Sequence, residues 1–137
     1  MLGFTIWRLK EMIGTLAKER SGVFDHEKLD AYHIAIEFVI LSDVVIEHLP
    51  RGRGYLSDQL QRAALSIPLN IAEGAGEYAI DEKMRFYRMA KRSGTECAGI
   101  LEVCRKLQLL DEQRYAKGRE LLIRIVSILT KMAQRNN

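Results

Sequence analysis

YLSDQLQRAALSIPLNIAE, residues 55–73, followed by Gly74, Ala75 and Gly76, is the stretch that decides the fold. Leu56, Leu60, Ala63, Ile67 and Ile71 recur at steps of four and three, the spacing that lines up one face of an α-helix. No period-two alternation competes with it. Pro68 removes one backbone donor and crowds the carbonyl four residues earlier, so the spacing predicts a helix that continues through Pro68 with a bend. Gly74 and Gly76 suit a left-handed stop behind it.

The same period extends outward in both directions. Punctuation by Pro50 and by glycines at 52, 54, 74 and 76 leaves four long blocks, Glu27–Leu49, Tyr55–Glu73, Glu82–Leu109 and Glu112–Gln134. Met84, Ala90, Cys97, Leu101 and Cys104 draw the apolar stripe of the third block, and Leu121, Ile125, Ile128 and Met132 that of the fourth. Asp81 and Asp111 stand where N-caps belong, each followed by a glutamate that complements the positive helix end. Short connections favour antiparallel neighbours, which predicts an all-α, up-down four-helix bundle over residues 24–137.

The first block carries two apolar stripes. Leu29, Tyr32, Ile36, Val39 and Ile46 form one, and Ile34, Phe38, Leu41, Val45 and Leu49 the other, nearly opposite on the helix. A single bundle covers one side of a helix well, so the second stripe, with Ile34, Phe38, Leu41 and Val45, is expected to meet another subunit. Coverage by a loop or by the N-terminal residues is the alternative. Residues 1–23 form an extension, helical or partly disordered, in which Leu2, Ile6, Leu9, Ile13 and Leu16 step by four and three beside Trp7. Docking within the assembly is the preferred reading. Pairing between subunits, contact with an anionic surface, and a shorter chain begun at Met12 are the others.

Of 137 residues, 47% are hydrophobic and 28% charged, with two prolines, which describes one globular domain and excludes disordered, collagenous and multidomain classes. No uninterrupted 18-residue apolar run occurs, and apolar residues preceding Arg8 and Lys10 reverse the order of a secretory signal. A cytoplasmic setting without membrane contact is expected. Cys97 and Cys104 fall two helical turns apart, roughly 10 Å, too far to bridge, and read as small core residues.

The formal net charge of +3 is small, but its distribution is uneven. Residues 21–50 hold Lys28 against Asp25, Glu27, Asp30, Glu37, Asp43 and Glu47, whereas residues 51–137 hold 16 basic and 10 acidic side chains. Arg85, Arg88 and Arg92 share a face of the third helix, with Lys83 and Lys91 beside them and Tyr78 and Tyr87 nearby. This cluster is the candidate surface for the RNA or DNA backbone. Arg51 and Arg53 form a second candidate in a glycine-rich turn that also serves as an ordinary connection. A solvated face salted with Glu82, or a seam against an acidic neighbouring helix, is the plainer reading of the third-helix cluster.

No catalytic, cofactor or metal site is expected. Asp30 with His33 and His33 with Glu37 are isolated pairs, unlike the repeated Glu-x-x-His sets of metal-binding bundles. No histidine falls where it would activate Ser66 or Ser93, and Gly74-Ala75-Gly76 follows a helix where a phosphate loop follows a strand.

Gln59 through Gly74 resembles the signature of the 23S ribosomal RNA intervening-sequence protein family, also called the four-helix bundle protein family. Phe86, Ala90, Ser93 and Glu96 resemble its third-helix pattern and Leu29 through Ala35 its opening, so the similarity runs from about Phe24 to the C-terminus. Arg92-Ser93 stands where that family usually has Gly-Ser. The resemblance implies a small antiparallel bundle, commonly a ring-like homopentamer, without established enzymatic activity, and its gene location suggests nucleic-acid association. A related bundle works beside a reverse transcriptase, so a protein-interaction adaptor for a partner enzyme is the second expected function. Within the motif, Gln59, Arg62, Ser66, Asn70 and Glu73 form a polar row. Arg62, Asn70, Glu73, Ser93 and Glu96 are expected to join in a hydrogen-bond network between helices or subunits.

Overall fold

The computed structural model describes residues 10–11 and 24–134. A 3-10 turn, Asp25–Lys28, precedes α1 (Asp30–Glu47), α2 (Gly54–Gly76), α3 (Ile80–Lys106) and α4 (Glu112–Gln134). Among the described residues there is no strand. Each helix packs on two others, α1 on α2 and α4, and α3 on α2 and α4, which closes a four-cornered bundle. Of the N-terminal extension only Lys10 and Glu11 are described, both helical and exposed, and the rest of the reading of residues 1–23 lies outside the described residues.

Phe38, Leu60, Ile67, Ile71, Leu101, Leu121, Ile125 and Leu129 fill the centre of the core. α2 passes through Pro68 without a break, and the ring is buried. Complete burial of such side chains, at roughly 1.5–3 kcal/mol each, supplies the main drive for closing the bundle.

The residues assigned to the expected subunit contact are corrected by this packing. Ile34, Phe38, Leu41 and Val45 are 2%, 0%, 5% and 2% exposed within the single chain and belong to its own core. The other stripe, Leu29, Tyr32, Ile36, Val39 and Ile46, is only half-buried. The bundle takes the stripe with the larger central ring, because Phe38 fills the space that Gly118 of α4 leaves open. A β-carbon at Gly118 would stand 3.7 Å from Phe38 Cε1 and 2.7 Å from Leu101 Cδ1.

Two helix ends also differ from expectation. Asp111 does cap α4, accepting the Arg114 N–H at 2.8 Å. Asp81 does not cap α3, because the Ala79 carbonyl already accepts from the Lys83 N–H at 2.9 Å, and this places Asp81 inside the first turn. α3 stops at Lys106 because Gln108 adopts φ 60°, with its N–H bonded to Arg105 and that of Leu109 to Cys104, a Schellman-type end.

Gly74 and Gly76 lie within α2 instead of forming a left-handed stop. A β-carbon at Gly74 would meet the Tyr87 ring at 2.7 and 2.9 Å, so this glycine lets α3 approach. Gly74→Ala is therefore expected to cost about 1–3 kcal/mol despite alanine's better helix propensity. Gly99→Ala, where nothing lies within 4 Å, should add about 0.5–1 kcal/mol. Urea unfolding of both variants checks the pair of opposite signs.

Candidate nucleic-acid interface

The apolar stripe of α3 turns Met84, Tyr87, Ala90, Gly94 and Cys97 inward, and the same period turns Arg85, Arg88 and Arg92 outward. All three arginines are exposed, on successive turns spanning about 10 Å of axis. Arg85 makes a forked pair with Glu82, at 3.0 Å from Nε and 2.9 Å from Nη2, and stacks 4.9 Å from the Phe86 ring. The Arg85 hydrogen bonds hold the Glu82 carboxyl below its ordinary range. Arg88 and Arg92 make no ion pair among the described residues. Tyr78, 99% exposed, stands just before the start of α3. Tyr87 is instead buried in the core, its phenol pushed up by burial and by the charge of Asp25.

The remaining basic candidates do not join this face. Lys83 turns back over the preceding connection and donates from Nζ to the carbonyls of Gly74 at 2.8 Å and Ala75 at 3.0 Å. The Gly74 carbonyl also accepts the Glu77 N–H at 3.1 Å, and the ammonium adds a cap at the end of α2, where the helix dipole favours a cation. Lys83→Met is expected to cost about 1 kcal/mol in urea unfolding and to leave nucleic-acid affinity within about twofold. Lys91 is half-buried on α3. Arg51 is exposed and Arg53 donates to the Tyr55 hydroxyl at 2.8 Å, but both lie in the α1–α2 connection, at the other end of the bundle from Arg85.

The polar network is smaller than its row of residues. Asn70 Nδ2 donates to the Ser66 carbonyl at 2.8 Å and to its Oγ at 2.9 Å, and the Ser66 and Ser93 hydroxyls share a 2.8 Å bond that ties α2 to α3. Arg62 donates to Gln59 at 2.7 Å on its own helix, while Glu73 and Glu96 stand exposed outside the network. Arg92 projects outward, so its bulk meets no helix. The close approach falls at Gly94, where a β-carbon would lie 3.3 Å from Val126 Cγ2.

Cys97 and Cys104 are free and buried. Burial, aided by the Glu96 charge, pushes the Cys97 thiol up to about 12, so it stays protonated and unreactive. Among the described residues, no three His, Cys, Asp or Glu side chains come together in a metal-holding group. No helix among them is long and apolar enough to cross a membrane. The side chains that periodicity overlooks are Leu65 and Leu69, 49% and 55% exposed, an i, i+4 pair on α2 away from its core stripe.

Four helices closed on an apolar core, with a row of guanidinium groups on one outer face, define a small all-α helical bundle protein. The model of the 23S rRNA-intervening sequence protein family matches residues 27–131, and the chain belongs to that family. No curated protein matches the chain.

Proposed function

We propose that this protein is a non-enzymatic module that binds the phosphate backbone of RNA or DNA through the outer face of α3. The observation that carries this reading is the row of Arg85, Arg88 and Arg92, of which the last two have no charged partner among the described residues. Guanidinium groups on successive helical turns suit repeated phosphates, and Tyr78 offers a ring for base stacking at the same end. Backbone contacts of this kind are sequence-tolerant and release counterions, so binding weakens as salt rises.

The working form is a cytoplasmic homo-oligomer, for which the family resemblance implies a ring of five. Ile34, Phe38, Leu41 and Val45 are taken up by the core, so contact between copies falls to apolar side chains left outside. Phe24, Leu69 and Ile80, 66%, 55% and 49% exposed, lie toward the end of the bundle where α2 gives way to α3. Repetition of the arginine row around a ring raises its hold on a long polyanion by avidity.

A protein-interaction adaptor is the second reading, favoured by the Glu82–Arg85 pair, which gives the face mixed charge suited to a protein surface. Light-scattering mass after size exclusion, with and without an RNA and DNA pool at low and high salt, separates the two. An assembled species that gains nucleic acid only at low salt is the expected result. An assembly that ignores nucleic acid but retains one protein partner would favour the adaptor.

A further inference from the structure

α1 is apolar around most of its circumference, and part of that apolar surface lies away from its core stripe. By helical phase Ile36 and Ile40 lie away from Ile34, Phe38 and Leu41, yet both are half-buried, whereas outward Leu65, Leu69 and Ile123 are 49%, 55% and 52% exposed. Val39, Ile40, Ile46 and Leu65 border a groove of about 240 Å³ between α1 and α2, with Asp43 and Gln61 also lining it. Asp43 and Glu47 are exposed carboxylates on this part of α1.

We propose that residues 2–16 of the same chain fold back as an amphipathic helix into this groove. Leu2, Ile6, Leu9, Ile13 and Leu16 provide an apolar seam whose Leu2–Leu9 part, about 10 Å long, matches the Val39–Ile46 length of the groove, and Lys10 and Glu11, off that seam, are helical and exposed. The charges are complementary. Residues 1–23 carry Arg8, Lys10, Lys18 and Arg20 against Glu11 and Glu19, while α1 and the turn before it are acidic.

The reach also fits. Fifteen helical residues span about 22 Å against about 27 Å for α1, and residues 17–23 extend far enough to reverse direction before Phe24. Antiparallel docking brings Leu9 level with Val39 and Ile40, and Leu2 level with Ile46. A tether this short holds the segment at an effective concentration of order millimolar, which favours its own groove over that of a second copy.

The test is disulfide trapping in the full chain, with Leu9→Cys paired with Ile40→Cys and, as the opposite-face control, Glu11→Cys paired with Ile40→Cys. Cys97 and Cys104 are buried and stay in place. The Leu9 pair should oxidise at least about tenfold faster than the control and give a cross-linked single chain on a denaturing gel. Equal rates, or a product of twice the chain mass, would overturn docking within one chain. Hydrogen exchange on the unaltered protein is the second measurement. Amides 2–16 should exchange at least about tenfold slower than an unstructured peptide, and Ile40→Asp should remove that protection while α2–α4 keep theirs. Unprotected amides in the parent chain, or protection that survives Ile40→Asp, would refute the proposal.

Discussion

Replacing Phe38 with alanine is expected to cost about 3–5 kcal/mol of folding stability. The ring is 0% exposed and occupies the space beside Gly118, where a β-carbon would already crowd Leu101 at 2.7 Å and Leu41 at 3.5 Å. Its removal leaves a cavity lined by side chains from α1, α3 and α4 that have little freedom to collapse into it. A domain of this size has roughly 5–15 kcal/mol in total, so the loss is a large part of the whole. Ile36→Ala, on the half-buried side of the same helix, should cost about 1–2 kcal/mol. Urea unfolding of the two variants measures the difference. A side chain whose main role lay between subunits would instead lower the assembled mass and leave each chain nearly as stable.

Reversing Arg85, Arg88 and Arg92 to glutamate should produce the largest functional change. If each arginine neutralises one phosphate of duplex DNA, the affinity of a protomer falls about 40-fold between 50 and 200 mM salt, and about 18-fold for a single strand. The triple variant loses those contacts and adds repulsion, so its affinity at 50 mM should drop at least to the parent's level at 200 mM. The fold should survive, because all three side chains are exposed and only Arg85 holds an ion pair, the surface pair with Glu82, worth about 0–1 kcal/mol. Fluorescence anisotropy with a labelled oligonucleotide, alongside circular dichroism, checks both halves of this expectation.

The helices were legible from period alone because α2, α3 and α4 each have one dominant apolar stripe and a mostly polar remainder. α1 was legible as a helix but not in its orientation. Ile36 and Val39 are as apolar as Ile34 and Leu41, so periodicity ranks the stripes equally, and only the fit of Phe38 beside Gly118 separates them. Arg85, Arg88 and Arg92 could be placed on one exposed face from their spacing. Lys83 could not be separated from them, because its role depends on a turn that brings Gly74 and Ala75 within 3.0 Å of its ammonium. Gly74 likewise reads as a stop until the Tyr87 ring is seen above it. The Ser66–Ser93 bond spans 27 positions, and periodicity within one helix cannot pair residues on two.

The most direct test of the central claim is the salt dependence of oligonucleotide binding, compared between the parent protein and the Arg85, Arg88 and Arg92 triple reversal. The logarithm of the parent's affinity for duplex DNA should fall against the logarithm of salt concentration with a slope of about −2.7 per protomer engaged, and the triple variant should be nearly flat. Binding by the triple variant with the parent's affinity and slope would contradict a nucleic-acid-binding face on α3.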